Sequence, residues 1–324
     1  MTDQLTKIIL QATQAKAITK TTQIQQLWSG YGQIMRCQLQ GGLIQSVVVK
    51  HVQLPKESNH PRGWNTNLSH ERKLKSYHVE MNWYNGLAKQ CNDACRVPKT
   101  YHLTDQTHEM LMVMEDLNEA GFPVRKSTAS MSEIKVCLRW LAHFHAKFMG
   151  VKAGQLWETG TYWHLATRPD ELAAMQDQSL KAAAFQIDQT LGNAKFQTLV
   201  HGDAKLANFC FSQKGDEVAG VDFQYIGGGC GMKDVAYFLS SCLHEDDLTH
   251  CESDLLNYYF DHLKQALNKY NQPVDFKEIQ KEWGHLYNYA WADFYRFLDG
   301  WSPGHWKMND YCKTIKNMVL IDLS

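Results

Sequence analysis

"LVHGDAKLANFCF", residues 199–211, decides how this chain is read. Its ends, Leu199 with Val200 and Phe209 through Phe211, are apolar in the manner of buried strands. Its centre carries His201, Asp203, Lys205 and Asn208, more polar groups than a core segment can satisfy with hydrogen bonds. Apolar strands that enclose such a cluster hold either a costly turn or a reaction centre.

The same stretch runs on into "NFCFSQKGDEVAGVDFQ", a strand hairpin turning at Lys214 to Asp216. A tight hairpin returns Asp222 beside Asp203 and Asn208. An amide oxygen from Asn208 and a carboxylate from Asp222 are hard donors that suit Mg²⁺, which keeps several waters and is completed by substrate phosphates. Asp203 is then left to accept a proton. That is the division of labour in phosphoryl transfer, where a carboxylate orients and deprotonates a hydroxyl and metal ions hold the nucleotide phosphates.

With these residues in view, "HGDAKLAN" followed by "VDFQ" resembles the motifs of the aminoglycoside phosphotransferase and choline kinase superfamily. "LWSGYG", "VVVKH", "HVEMNWY", "VMEDL", "LAHFHA" and "VDFQ" with "KDVAYFL" resemble, more narrowly, its ecdysteroid-kinase-like (CHK kinase-like) branch. They occur in that order from about residue 27 to 244. The resemblance implies an α+β, bilobal, protein-kinase-like fold, with an antiparallel sheet plus helix in the N-terminal lobe and a larger, mainly helical C-terminal lobe. It also implies ATP and Mg²⁺ as cofactors and a small-molecule hydroxyl as phosphate acceptor.

The resemblance implies roles for further residues, which physical chemistry can weigh. Lys50 interrupts an apolar strand, and Glu80 falls within the apolar stripe of a helix between Tyr77 and Tyr84. Opposite charges on two buried faces need each other. The family reading pairs them, with Lys50 gripping the nucleotide phosphates; the plain alternative is a snorkelling lysine and an edge glutamate. Gly30 and Gly32 of "SGYGQ" form the expected phosphate-covering turn, although Met35 stands where a third glycine would complete GxGxxG. Met114, Glu115 and Asp116 form the expected adenine-binding hinge, or else an inner strand ending in an acidic turn. Lys205 is expected to steady the transferred phosphoryl group and His201 to orient the loop. Asp234 is expected to cap the helix beginning at "DVAYFL" and to brace the loop.

Two departures from protein kinases matter. Gly202 precedes Asp203 where those enzymes carry arginine, and the metal motif reads DFQ rather than DFG. "YIGGGCGMKD" after it is short and lacks APE, and reads as a flexible connector. Regulation by activation-loop phosphorylation and a peptide substrate are both disfavoured.

For the acceptor, "HLYNYAWADFYRFLDGWSPGHW" concentrates aromatics with two acids. Trp291, Asp293, Tyr295, Asp299 and Trp301 are the candidate pocket residues, suited to a choline-like or amino-alcohol cation. A hydrophobic alcohol, including a sterol-like one, fits the branch as well, and aromatics at helical spacing also serve as core.

Composition bounds these readings. The chain has 324 residues, 44% hydrophobic and 21% charged, enough for a large core and about two lobes. Lys+Arg 33 against Asp+Glu 34 gives net charge −1, so neither a nucleic acid nor an anionic membrane is an expected partner. Nine scattered cysteines and no signal-peptide pattern at "MTDQLTKIILQATQ" suggest reduced thiols in the cytoplasm. Cys91 and Cys95 in "CNDAC" lack the second pair of a structural zinc site.

Along the chain, strands are expected in 23–40 (two, around Ser29 to Gly32), 46–52 and 108–117, and a loop around Pro55, Pro61 and Gly63. Helices are expected over 71–90, from the Ser130 and Glu133 capping box to Gly150, and over about 170–191, 233–244, 250–270 and 275–298. The expected division is a nucleotide-binding lobe, 1–115, and a catalytic and substrate-binding helical lobe, 116–324. Two competing readings remain: a nucleotide-binding pseudokinase or interaction module, and a metallohydrolase built on His201, Asp203 and Asp222 with His143 or His145.

Overall fold

The computed structural model describes residues 2–27, 30–53, 67–106 and 109–324. The loop expected around Pro55, Pro61 and Gly63 lies outside these residues, as do Trp28 and Ser29. Two compact units emerge: Met1–Gln90 with Val97–Val124 and Cys210–Val221, and Cys91–Arg96 with Arg125–Phe209 and Asp222–Ser324. The backbone therefore passes between units several times.

The first unit is built on a five-stranded antiparallel sheet. Its strands are β1 (Ala17–Gln26), β2 (Gly32–Gln40), β3 (Ser46–Gln53), β4 (Thr100–Gln106) and β5 (Glu109–Glu115), in the order β1-β2-β3-β5-β4. The Val-rich run of β3 takes the centre, hydrogen-bonded to β2 and β5, which is where β-branched side chains can pack on both faces. Sequence analysis missed β4, an edge strand whose half-buried "TYHLTDQ" shows no alternation. It also missed α1 (Asp3–Thr13), which starts where the Thr2 hydroxyl accepts the Leu5 N–H and buries Leu5 and Ile9 against Met35, Leu39, Val47 and Val113. Burying each such side chain contributes about 1.5–3 kcal/mol. The helix expected over 71–90 is α2 (Asn67–Asn85), followed by a separate 3₁₀ turn at Leu87–Gln90.

The second unit is mainly helical. α3 (Met131–Lys147) has the expected capping box: the Ser130 hydroxyl accepts the Glu133 N–H and Glu133 accepts the Ser130 N–H, an arrangement worth about 1 kcal/mol. The helix expected at 170–191 is two, α4 (Pro169–Ala174) and α5 (Gln178–Gly192). The break has a cause: Asp177 caps α5, accepting from Leu180, and Asp299 takes the N–H groups of Gln176 and Asp177 that a continuous helix would have used.

Three short strands frame the loop of interest: β6 (Thr198–Val200), β7 (Phe209–Phe211) and β8 (Val218–Gly220), the last two forming the expected hairpin. A fourth, β9 (Gly227–Gly229), corrects the reading of its glycines as a flexible connector. It pairs with β6 on one side, while Trp157 and Gly160 bond to Ile226 and Gly228 on the other, so backbone lies close on both flanks. Three longer helices follow: α6 (Met232–Cys242), α7 (Glu245–Lys269) and α8 (Phe276–Trp301). A last helix, α9 (Asp310–Asp322), was not anticipated; Asn309 caps it and Cys312, Ile315 and Val319 form its buried face. No helix among the described residues is long and apolar enough to cross a membrane.

Candidate active site

The structure brings the expected residues together in two groups, one in each unit. In the first unit, Lys50 on β3 and Glu80 on α2 form an ion pair of 2.5 Å with both side chains 3% exposed. The Lys50 ammonium also lies 5.7 Å from the Tyr77 ring centroid. Gly30 and Gly32 have positive φ of 75° and 121°. At Gly32 a side chain is excluded twice over, because a Cβ would stand 2.0 Å from the His51 carbonyl oxygen.

The end of β5 holds Met114, Glu115 and Asp116. Glu115 accepts the Lys99 N–H, and Asp116 accepts from Arg36 Nε at 2.6 Å and from the Ser46 hydroxyl at 2.5 Å. Burial opposes the charge of Asp116, but the bonds from Arg36, Ser46 and Asn118 outweigh it and hold the carboxyl below its ordinary range. Its side chain therefore ties β2 and β3 to the chain beyond β5.

In the second unit, β6 delivers the chain into His201–Asn208. Gly202 sits at φ 78°, and a Cβ there would lie 2.0 Å from the Tyr225 carbonyl oxygen, so the arginine of protein kinases has no room. Asp234, wholly buried in the first turn of α6, accepts the N–H groups of His201 and Gly202 at 2.6 and 2.9 Å. It does not cap its own helix, whose N-cap is Gly231. His145 stands 3.2 Å from the Asp234 carboxylate and 2.7 Å from the Tyr259 hydroxyl. The loop thus hangs on a buried, charge-assisted bracket. His201 orients Asp203, two positions on, its Nδ1 accepting the Asp203 N–H at 3.2 Å.

Both oxygens of Asp203 are engaged. Oδ2 accepts from Lys205 Nζ at 2.9 Å and Asn208 Nδ2 at 3.1 Å, and Oδ1 accepts from the Tyr237 hydroxyl at 3.0 Å. Burial pushes the Asp203 carboxyl above its usual range; Lys205 counteracts this and the nearby Asp222 adds to it. Burial works against the charge of Lys205, but the Asp203 carboxylate prevails and raises its pKa. Sequence analysis missed Tyr237. Its signal was its place three residues after Asp234, where one helix face carries both the bracket and the hydroxyl.

Asn208 and Asp222 fit a hard cation. The Asn208 NH₂ bonds to the backbone and side-chain oxygens of Asp203, which turns its own carbonyl oxygen to other use. Asp222 holds a left-handed backbone, φ 68°, a conformation that costs a non-glycine residue about 1–3 kcal/mol and is found where a side chain must be aimed. Gln224 Nε2 donates to its Oδ1 at 2.8 Å. Among the described residues no group of three or more His, Cys, Asp and Glu side chains forms a metal cage. His143 and His145 are occupied elsewhere, with Tyr270 and with Asp234 and Tyr259, so the metallohydrolase arrangement is not assembled.

The acceptor candidates on α8 have varied surroundings. Asp293 is fully enclosed, bonded to Arg296 at 2.7 Å and Trp163 Nε1 at 3.0 Å, and Asp299 caps the α4–α5 break. Trp291 packs against Tyr311, Tyr295 is buried, and half-buried Trp301 stacks on Phe297.

A sequence profile of the ecdysteroid kinase-like family matches residues 67–161 and 163–272, more than half of the chain. Comparison with curated proteins gave no match. Among solved structures, a choline kinase from Cryptosporidium parvum is similar over 100% of this chain and 97% of its own, at 12% identity and a TM-score of 0.58. An aminoglycoside-3'-phosphotransferase of type VIII is similar over 82% of this chain and 93% of its own, at 16% identity and a TM-score of 0.48. The fold is thus the kinase-like one seen in choline kinase, and the chain belongs to the ecdysteroid kinase-like family.

Proposed function

We propose that this protein is a small-molecule kinase that transfers the γ-phosphate of ATP to a hydroxyl of a small acceptor. The observation that carries this reading is the Asp203 carboxylate, buried and positioned by Lys205, Asn208 and Tyr237 on a loop fastened by Asp234. Asp203 orients the acceptor hydroxyl and takes its proton as the oxygen attacks phosphorus. Lys205, with its side chain 40% exposed, reaches toward the transferred phosphoryl group. Asn208 and Asp222 would hold Mg²⁺, which supplies charge neutralisation to the nucleotide phosphates when bound.

Lys50, held by Glu80, contacts the α and β phosphates, and the turn at Gly30 and Gly32 covers them. Adenine binds through backbone groups of Met114, Glu115 and Asp116, since the Asp116 side chain serves the fold. Trp301 and its neighbours Trp291, Asp293, Tyr295 and Asp299 belong to the helical scaffold from which the acceptor pocket is built. Choline-like and aminoglycoside-like acceptors are classes to try by analogy with those named for the similar kinases, and hydrophobic alcohols by analogy with the name of the family. Nine cysteines scattered along the chain suit a reducing compartment, the cytoplasm.

The test combines a thermal shift with an acceptor screen. ATP should raise the melting temperature only when Mg²⁺ is present, and Asp222→Asn should remove most of that rise. An ATP-consumption screen across amino alcohols, aminoglycosides, sugars and hydrophobic alcohols should then yield at least one acceptor. A chain indifferent to Mg²⁺ and ATP together would favour an interaction module instead.

A further inference from the structure

Lys307, between α8 and α9, plays no part in the site so far described, yet it feels that site directly. Its ammonium lies 5.1 Å from the ring centroid of Tyr237, 5.4 Å from that of Phe294 and 5.7 Å from that of Trp306. It donates to Ser240 Oγ at 3.3 Å, and among the described residues no carboxylate forms an ion pair with it. Burial pulls its pKa down to about 8, and both Asp203 and Lys205 act on it electrostatically, the first raising and the second lowering. The Tyr237 ring that carries Lys307 on its face is the one whose hydroxyl meets Asp203 Oδ1.

Asp203 thus has two differently furnished sides. Lys205 and Asn208 hold Oδ2, where phosphate and cation chemistry belong, while Tyr237 holds Oδ1, with Lys307 on the face of its ring. Three aromatic faces around one point form the kind of cage that attracts an ammonium group. Here the chain's own lysine fills it. An acceptor bringing an ammonium to the Oδ1 side would lose those faces and meet a like charge in a poorly solvated setting. An acceptor whose oxygen atoms can take a hydrogen bond from Lys307 would relieve a cation that lacks a carboxylate.

On the reading that Asp203 is the base of a kinase, we infer that Lys307 is the specificity-determining residue of the acceptor side. It rejects acceptors that carry an ammonium group close to the reacting hydroxyl and admits uncharged, oxygen-bearing alcohols. This narrows the choline-like expectation: the aromatic faces lie on Tyr237, Phe294 and Trp306 rather than on the residues expected, and their place for a cation is taken.

The experiment uses a pair of alcohols that differ in charge alone, choline and its uncharged isostere 3,3-dimethylbutan-1-ol. Binding of each to the full chain is measured by calorimetry, and ATP consumption with each is measured in parallel. The wild type should bind the uncharged alcohol about tenfold tighter or better. Lys307→Met, which keeps the apolar stem, should bring the ratio close to one while leaving ATP affinity in place, and Lys307→Arg, which keeps the charge, should preserve it. Equal or tighter binding of choline by the wild type overturns the inference, as does an unchanged ratio in Lys307→Met, or no binding of either alcohol. Absence of ATP consumption alongside the expected binding ratio would overturn the kinase reading and leave the assignment of Lys307 standing.

Discussion

Two ionic groups of this molecule are buried in different ways. Lys50 and Glu80 are both 3% exposed and meet at 2.5 Å, one on a central strand and the other on a helix. Asp203 and Lys205 lie on one loop, with the carboxylate 10% and the lysine 40% exposed. The first pair is fixed by the packing of two regular elements. The second needs a scaffold, and Asp234, His145, Tyr259 and Tyr237 supply it. A pair enclosed between two regular elements is held by their packing, whereas a carboxylate on an irregular loop is held by groups from outside that loop.

This contrast can be broken at several points. Lys50→Met removes the ammonium that pairs with the Glu80 carboxylate and should cost about 3–5 kcal/mol in denaturant unfolding; a neutral result would mean that the pair is not enclosed in solution. Gly202→Ala tests the scaffold of the loop. Its left-handed backbone and the Tyr225 carbonyl contact should together cost about 3 kcal/mol, with loss of turnover beyond what stability explains.

Asp116→Asn should cost about 2 kcal/mol, because hydrogen bonds from Arg36 and Ser46 to a charged acceptor are weakened. The folded carboxyl is held below its ordinary value, so its stabilisation is present above the unfolded pKa of about 3.9 and is lost as pH falls through the folded value. Acid unfolding curves of wild type and variant should therefore converge at low pH, and parallel curves would refute the assignment. The smallest effect belongs to Tyr237→Phe, about 1 kcal/mol in stability. It removes one bond to Asp203 while leaving Lys205 and Asn208 in place. A measurable drop in turnover at unchanged ATP affinity would place Tyr237 on the acceptor side.

Much of the architecture was legible because local pattern and burial agree. The valines of β3, the Ser130 capping box and the 209–220 hairpin all announce themselves within a dozen residues. What escaped was set by distant partners. β9 looked flexible because it is all glycine, yet backbone on both flanks makes glycine the residue that fits. The 170–191 helix looked continuous because its break depends on Asp299, more than a hundred residues away.

The candidate site divides along the same line. His201, Asp203, Lys205 and Asn208 are close in sequence and were read together. Asp293 and Asp299 were read as acceptor-pocket residues because aromatics with acids look alike in a core and in a cavity; Arg296, the partner of Asp293, stands three residues on along the same helix, whereas the N–H groups that Asp299 accepts are visible only in three dimensions. Lys307 carried no local signal at all, since nothing near it in the chain points to Asp203.

The most direct measurement of the central claim is transfer of label from γ-labelled ATP to an acceptor found in the screen, by wild type and by Asp203→Asn. The account predicts a fall in kcat of about 10²–10⁴-fold in the variant, with Mg²⁺-dependent ATP binding retained. Near-normal transfer by Asp203→Asn would contradict it.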